Sequence, residues 1–156
     1  MDPYPLDSTD KAILQMLQED ARLTIKEMAK RLHVSTTPVF DRIKKMEKAG
    51  VIKKYVALVD AKRIGKSLIV FINISIKDHG KKTINEFVKA INSFPEVIEC
   101  HHITGNADFI LKLVLEDIEA YNNFILNKLS LVPEVGQVES RFSLSERKMT
   151  TAIDIP

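Results

Sequence analysis

The stretch "ECHHITGNADFIL", residues 99–111, gathers the side chains of this chain best suited to chemistry. It holds the single cysteine, Cys100, two adjacent histidines, His101 and His102, and Glu99. Such a set suggests metal ligation, nucleophilic catalysis, or a turn that binds a molecule without changing it. "VIECHHI" reads as a β-strand, and successive strand side chains point to opposite faces. Glu99 then goes with His101, and Cys100 with His102, so the two histidines cannot share one ion unless the strand breaks. A structural zinc site needs about four ligands. His33 and His79 lie in other segments without ligand spacing, so no metal site is expected. A nucleophile needs a base beside it and a group to orient that base. Cys100 with His102 offers a pair, yet a cysteine in an apolar strand is more often a small buried hydrophobe. No GxSxG, P-loop or GxGxxG accompanies it, so no catalytic residue and no enzyme activity are expected.

The turn "GNAD" remains. Gly105 permits backbone conformations that other residues resist, and Asn106 tolerates them. Free N–H groups in such a turn can hold a carboxylate. Asp108, at its end, can accept a hydrogen bond from an ammonium group. Together these suit a free amino acid. An ordinary tight loop between two strands would use the same residue types.

The chain that positions this turn has 156 residues, of which 45% are apolar and 28% charged, ordinary values for a globular protein of one domain or two small ones. One cysteine fits a reducing compartment. The opening "MDPYPLDSTDKAIL" is acidic where a signal peptide is basic, and "LIVFINISI" is too short for a membrane helix. A cytoplasmic protein without a membrane anchor is expected. The net charge of +2 hides an asymmetry. From Arg22 to Lys66 there are thirteen Lys and Arg against four Asp and Glu, whereas residues 67–156 carry nine against twelve. A polyanion partner is therefore expected for the first part alone.

Periodicity divides the chain in the same place. "LDSTDKAILQMLQED" starts with cap-forming Asp7 and Ser8 and sets Ile13, Met16 and Leu17 on one helical face. "TIKEMAKRLHV" opens with a Thr24/Glu27 capping box, followed by Ile25, Met28, Ala29 and Leu32. "STTPVFDRIKKMEKAG" offers Ser35, Thr36 and Thr37 as caps and Pro38 near the first turn. Its buried face is Val39, Ile43 and Met46, and Gly50 ends it. The short "HVS" link makes the second and third helices a helix-turn-helix. "VIKKYVALVD" reads as a strand or ribbon, giving a winged arrangement. Beyond it the order is strand, helix, strand, strand, helix, strand, a ferredoxin-like split βαβ pair. Ile118, Tyr121, Phe124 and Ile125 are expected to face inward from the last helix. The fold class is α+β. The domains are a helix-turn-helix over 1–52, a hinge strand and linker over 53–66, and a ferredoxin-like βαββαβ domain over 67–156. Helices cover one sheet face, so the other is buried most simply against a second copy.

In a helix-turn-helix the second helix enters the major groove with its N-terminal residues at base edges. Its outward candidates are Thr36, Thr37, Phe40, Asp41, Arg42, Lys44 and Lys45, with Ser35 at its head. Arg42 can bond two guanine acceptors. Phe40 can meet a thymine methyl or pack into the domain. Lys53 and Lys54 are expected on the DNA backbone, where they set register without reading sequence. The basic excess makes double-stranded DNA the expected partner, although a protein-binding winged-helix module would use the same fold. An architectural protein that wraps DNA with little sequence preference is the alternative.

The chain resembles the Lrp/AsnC family, the feast/famine transcriptional regulators. The match runs from "LDSTDKAILQMLQEDARLTIKEMAKRLHVSTTPVFDRIKKMEKAGVIKKY" through "PEVIECHHITGNADFILKL" to "VPEVGQVESRFSL". The resemblance implies a DNA-binding domain hinged to a ferredoxin-like domain, dimers that commonly assemble to octamers, and an amino-acid effector held between subunits. It implies an effector loop of Gly105, Asn106, Ala107, Asp108 and Phe109, with Ser140 aligned to a hydroxyl residue on the last strand. Asn106 stands where the family often has Asp, Ala107 where it has a large residue, and Val138 where it has Thr. These departures imply a smaller, less polar pocket. No cofactor is expected beyond the effector.

Overall fold

The computed structural model describes residues 4–156, which fall into two compact units. One comprises residues 4–58 with Lys148–Pro156, and the other Val59–Arg147.

The first unit is built from three helices whose starts are fixed locally. α1 (Ser8–Glu19) is capped by Asp7, which accepts from the Asp10 N–H at 2.8 Å while Asp10 accepts from the Asp7 N–H at 3.2 Å. α2 (Ile25–Leu32) repeats the device with Thr24 and Glu27, at 3.2 and 2.8 Å. Each reciprocal cap satisfies two N–H groups, one of them an orphan donor of the helix's first turn. The turn after α2 closes on His33, a left-handed non-glycine residue at φ 55°. α3 (Thr36–Lys48) follows from Ser35 and is ended by Gly50 at φ 73°. The apolar stripes converge as Ile13, Met16, Met28, Ala29, Val39, Ile43 and Met46, all buried. Residues 148–156 belong to this unit. The Gln18 side-chain amide donates to the Ile153 carbonyl at 2.9 Å and accepts from the Ile153 N–H at 2.7 Å.

Residues 53–60 depart from the sequence expectation. They are exposed, and no strand forms there among the described residues. A strand is defined by its ladder to a neighbour. No described segment of this chain pairs with this one, and Tyr55, Val56, Leu58 and Val59 remain exposed.

The second unit is a four-stranded antiparallel sheet in the order β2-β3-β1-β4. The strands are β1 (Leu68–Ile76), β2 (Val97–His102), β3 (Phe109–Leu115) and β4 (Val135–Phe142). The helices α4 (Lys81–Ile91) and α5 (Ile118–Asn127) make the two crossovers. This is the ferredoxin-like order. β1 and β3 alternate strictly. Val70, Ile72, Ile74 and Ile76 of β1, with Phe109, Leu111, Leu113 and Leu115 of β3, are buried with Phe87, Ile91 and Phe124 of the helices. The opposite face carries Ile69, Phe71, Ile110 and Val114, each only half-buried. On α5 the expectation fails at Ile118, which is 61% exposed. It is the first residue after the Asp117 cap, and helical side chains tilt toward the N-terminus. Its side chain therefore overhangs the start of the helix.

The β1–β4 register shifts between Ile74 and Ile76. Gly136 sits beside that shift, and a Cβ there would lie 2.9 Å from the Ser75 carbonyl oxygen. Gly136→Ala is expected to destabilise the sheet unit by about 1–3 kcal/mol, the usual cost of forced overpacking. Denaturant unfolding of the two proteins measures it.

Candidate nucleic-acid interface and effector loop

The outward side of α3 is built as its spacing predicts. Ser35, Thr36, Thr37, Phe40, Lys44 and Lys45 are exposed, as are Lys53 and Lys54 beyond the helix. Ser35 makes no side-chain cap bond, so its hydroxyl stays available. Lys44 Nζ lies 2.7 Å from Glu47 Oε2 and 5.9 Å from the centre of the Phe40 ring. Glu47 also accepts from the Tyr55 hydroxyl at 3.1 Å, which ties the segment after α3 back to the helix.

Arg42 is the exception. Its Nη1 lies 2.5 Å from Asp7 Oδ2 and 2.8 Å from Asp10 Oδ1, and the Asp10 side chain is only 9% exposed. The two carboxylates hold the guanidinium even more firmly protonated than usual. The guanidinium expected to read guanine is thus engaged within the domain through Nη1, where it ties α3 to the head of α1. The signal lay in the sequence as two carboxylates three residues apart at a helix cap, a spacing that places both beside one cation. Sequence reasoning also missed Thr24, Ile25 and Lys26. They come from the head of α2 and line one groove with Thr36, Thr37 and Phe40.

The loop from Ile103 to Asp108 joins the ends of two adjacent strands. Gly105 adopts φ 120°, a conformation that side chains rarely accept. Asn106 is exposed, Ala107 is half-buried, and the Ser75 hydroxyl donates to the Asn106 carbonyl at 3.4 Å. Asp108 is anchored on both sides. Its backbone N–H reaches the Ile74 carbonyl at 2.9 Å, and its carbonyl accepts from the Ile103 N–H at 2.8 Å. Its carboxylate accepts from the Ile76 N–H at 2.8 Å and from His79 Nε2 at 2.9 Å. The Ile76 N–H, then His79, holds this carboxyl below the usual aspartate range. A carboxylate offers about four lone-pair sites. This one is 21% exposed, so it keeps accepting capacity toward solvent.

Phe109 of the predicted loop and Ser140 of β4 are engaged within the unit. Phe109 is buried, with ring centres of Phe87 and His102 each 4.6 Å away. It supports the loop from the core and does not line its surface. Ser140 lies on the helix-covered face and accepts from the Tyr121 hydroxyl at 2.9 Å. The histidine and cysteine neighbourhood divides as strand alternation requires. Cys100 and His102 stand opposite Leu111 and Phe109, while Glu99 and His101 stand opposite Lys112 and Ile110. Burial pushes the Cys100 thiol up, away from the nucleophilic thiolate. Among the described residues, no three His, Cys, Asp or Glu side chains gather where an ion would sit.

Residues 6–53 match the winged helix-turn-helix DNA-binding family, and residues 69–153 match the Lrp/AsnC ligand binding domain. This chain belongs to the Lrp/AsnC family. It is a transcriptional regulator, not an enzyme. The transcriptional regulator AzlB of Bacillus subtilis is 37% identical over 96% of both chains. The DNA-binding transcriptional activator DecR of Escherichia coli is 30% identical over 96% of this chain and 99% of its own. Among solved structures, the Neisseria meningitidis transcriptional regulator NMB0573, in complex with L-Met, has a TM-score of 0.91 and 35% identity. That match covers 96% of this chain and 97% of the other.

In this Lrp/AsnC regulator the DNA-binding unit and the ligand-binding unit each depend on one aspartate-centred bracket. Arg42→Ala leaves nearly buried Asp10 without its cation and is expected to cost the helical unit about 2 kcal/mol. The ratio of affinities for specific and random duplexes should not change. Thermal unfolding and fluorescence titration measure the two. Asp108 gives a pH signature. Its carboxyl titrates lower when folded than the ordinary value of 3.8, so its contribution is present above that pH. It is lost as the pH falls through the folded value. Asp108→Asn should flatten the acid side of the stability profile of the sheet unit.

Proposed function

We propose that this regulator changes its grip on DNA when a free amino acid binds at the Gly105–Asp108 loop. The observation that carries this reading is Asp108 itself: a partly exposed, ionised carboxylate at the end of a glycine turn, fixed to β1 by the Ile76 N–H. It suits the ammonium group of an amino acid, and the turn's N–H groups suit the carboxylate. The L-Met bound by the Neisseria relative supports an effector of this class. The protein works in the cytoplasm, where DNA and free amino acids are both at hand.

The regulator acts as a homodimer that assembles further, as far as an octamer. Two features support this. The sheet face opposite the helices carries half-buried Ile69, Phe71, Ile110 and Val114, and the unpaired 53–60 segment leaves four large apolar side chains exposed. A two-fold dimer sets two recognition helices about 34 Å apart and favours a palindromic site. Any effect of the ligand on DNA binding requires unequal affinity for two states of the assembly. The DNA contacts are Ser35, Thr36, Thr37, Phe40, Lys44, Lys45, Lys53 and Lys54.

Selection from random duplexes, with and without a panel of amino acids, should return a palindromic motif whose affinity shifts with one of them. Light scattering should give at least a dimer. Asp108→Asn should lose the calorimetric heat of that amino acid and retain DNA binding without it. An unchanged heat would remove Asp108 from the site, and selection without any motif would return the architectural reading.

A further inference from the structure

We infer that Phe40 is a specificity-determining residue of this regulator and that it reads thymine methyl groups in the major groove. The inference rests on α3 being the helix that enters that groove.

The argument starts from what α3 lacks. Bidentate reading of guanine is best done by arginine, and of adenine by asparagine or glutamine. Residues 36–48 contain no asparagine or glutamine, and their one arginine is Arg42. Its guanidinium is engaged by Asp7 and Asp10 through Nη1. Lys44 is drawn to Glu47 and across the Phe40 ring. Lys45 and Lys48 have no ion-pair partner among the described residues, and flexible ammonium groups of this kind suit phosphates. The helix is left with hydroxyls, a carboxylate and one large apolar group.

That apolar group is Phe40. It is 45% exposed and is not part of the buried core of the helical unit. It does not stand alone on a polar surface. With Ile25 and the methyl-bearing Thr24, Thr36 and Thr37 it lines the groove between the heads of α2 and α3. Lys26 lines the same groove, and Lys44 stands over the ring. The result is an apolar floor with a cationic rim. On duplex DNA the matching feature is a base-edge methyl between two phosphate strands. Thymine is the only one of the four bases that offers such a methyl in the major groove.

The test uses the full-length protein and a duplex enriched by it from a random pool. Each thymine of the enriched half-site is replaced in turn by deoxyuridine, which removes the methyl and leaves every hydrogen-bonding group. At one or more positions affinity should fall about four-fold, the value of one buried methyl group. Phe40→Ala should bind the thymine and deoxyuridine duplexes equally at that position, and Phe40→Leu should keep part of the difference. Circular dichroism verifies that both variants are folded. The inference is overturned if deoxyuridine has no effect at any position, or if Phe40→Ala keeps the full difference. Failure to enrich any duplex would instead overturn the sequence-specific reading on which the inference rests.

Discussion

The guanidinium of Arg42 joins α3 to the first turn of α1, and the geometry of the DNA-binding unit follows from that bond. The Asp7 and Asp10 carboxylates are already engaged in capping α1, so one pair of acidic residues both starts a helix and fixes the helix that faces DNA. The cation is needed because Asp10 is nearly buried: a carboxylate removed from water is costly unless paired and hydrogen-bonded. With the arginine so engaged, the exposed side of α3 carries hydroxyls, lysines and one aromatic ring. Recognition chemistry on one side of the helix is thus set by an electrostatic requirement on another.

A parallel economy governs the ligand-binding unit. Asp108 closes the loop with its backbone, anchors the end of β1 with one carboxylate oxygen and takes His79 on the other. Phe109, the next residue, points into the core between Phe87 and His102. Loop surface and core are therefore adjacent along the chain. Movement of Asp108 would act at once on the end of β1, the strand paired on both sides within the sheet.

Much of this was legible in the sequence, for identifiable reasons. Capping boxes are local, so Thr24 with Glu27 could be read directly. Strand alternation is a strict period of two, so the division of Glu99 and His101 from Cys100 and His102 followed without coordinates, as did the buried faces of β1 and β3. What escaped were features set by partners distant in sequence. Helical spacing leaves Arg42 at the border of the buried face, and only the position of α1 decides that it turns toward Asp7 and Asp10. Ile118 satisfies the inward period but lies where the helix has nothing beneath it. Residues 53–60 have a strand's composition without a strand's neighbour. The family resemblance supplied the extent of the loop, but only packing shows that Phe109 is support and not surface.

The attachment of residues 148–156 to the helical unit has a different kind of consequence. Gln18 engages Ile153 through its main-chain N–H and carbonyl, while the isoleucine side chain stays exposed. A side-chain amide that grips only backbone is indifferent to residue type but not to position. At residue 153, exchange of the isoleucine for any residue with a main-chain N–H therefore leaves this contact intact, whereas proline, which lacks that donor, removes half of it.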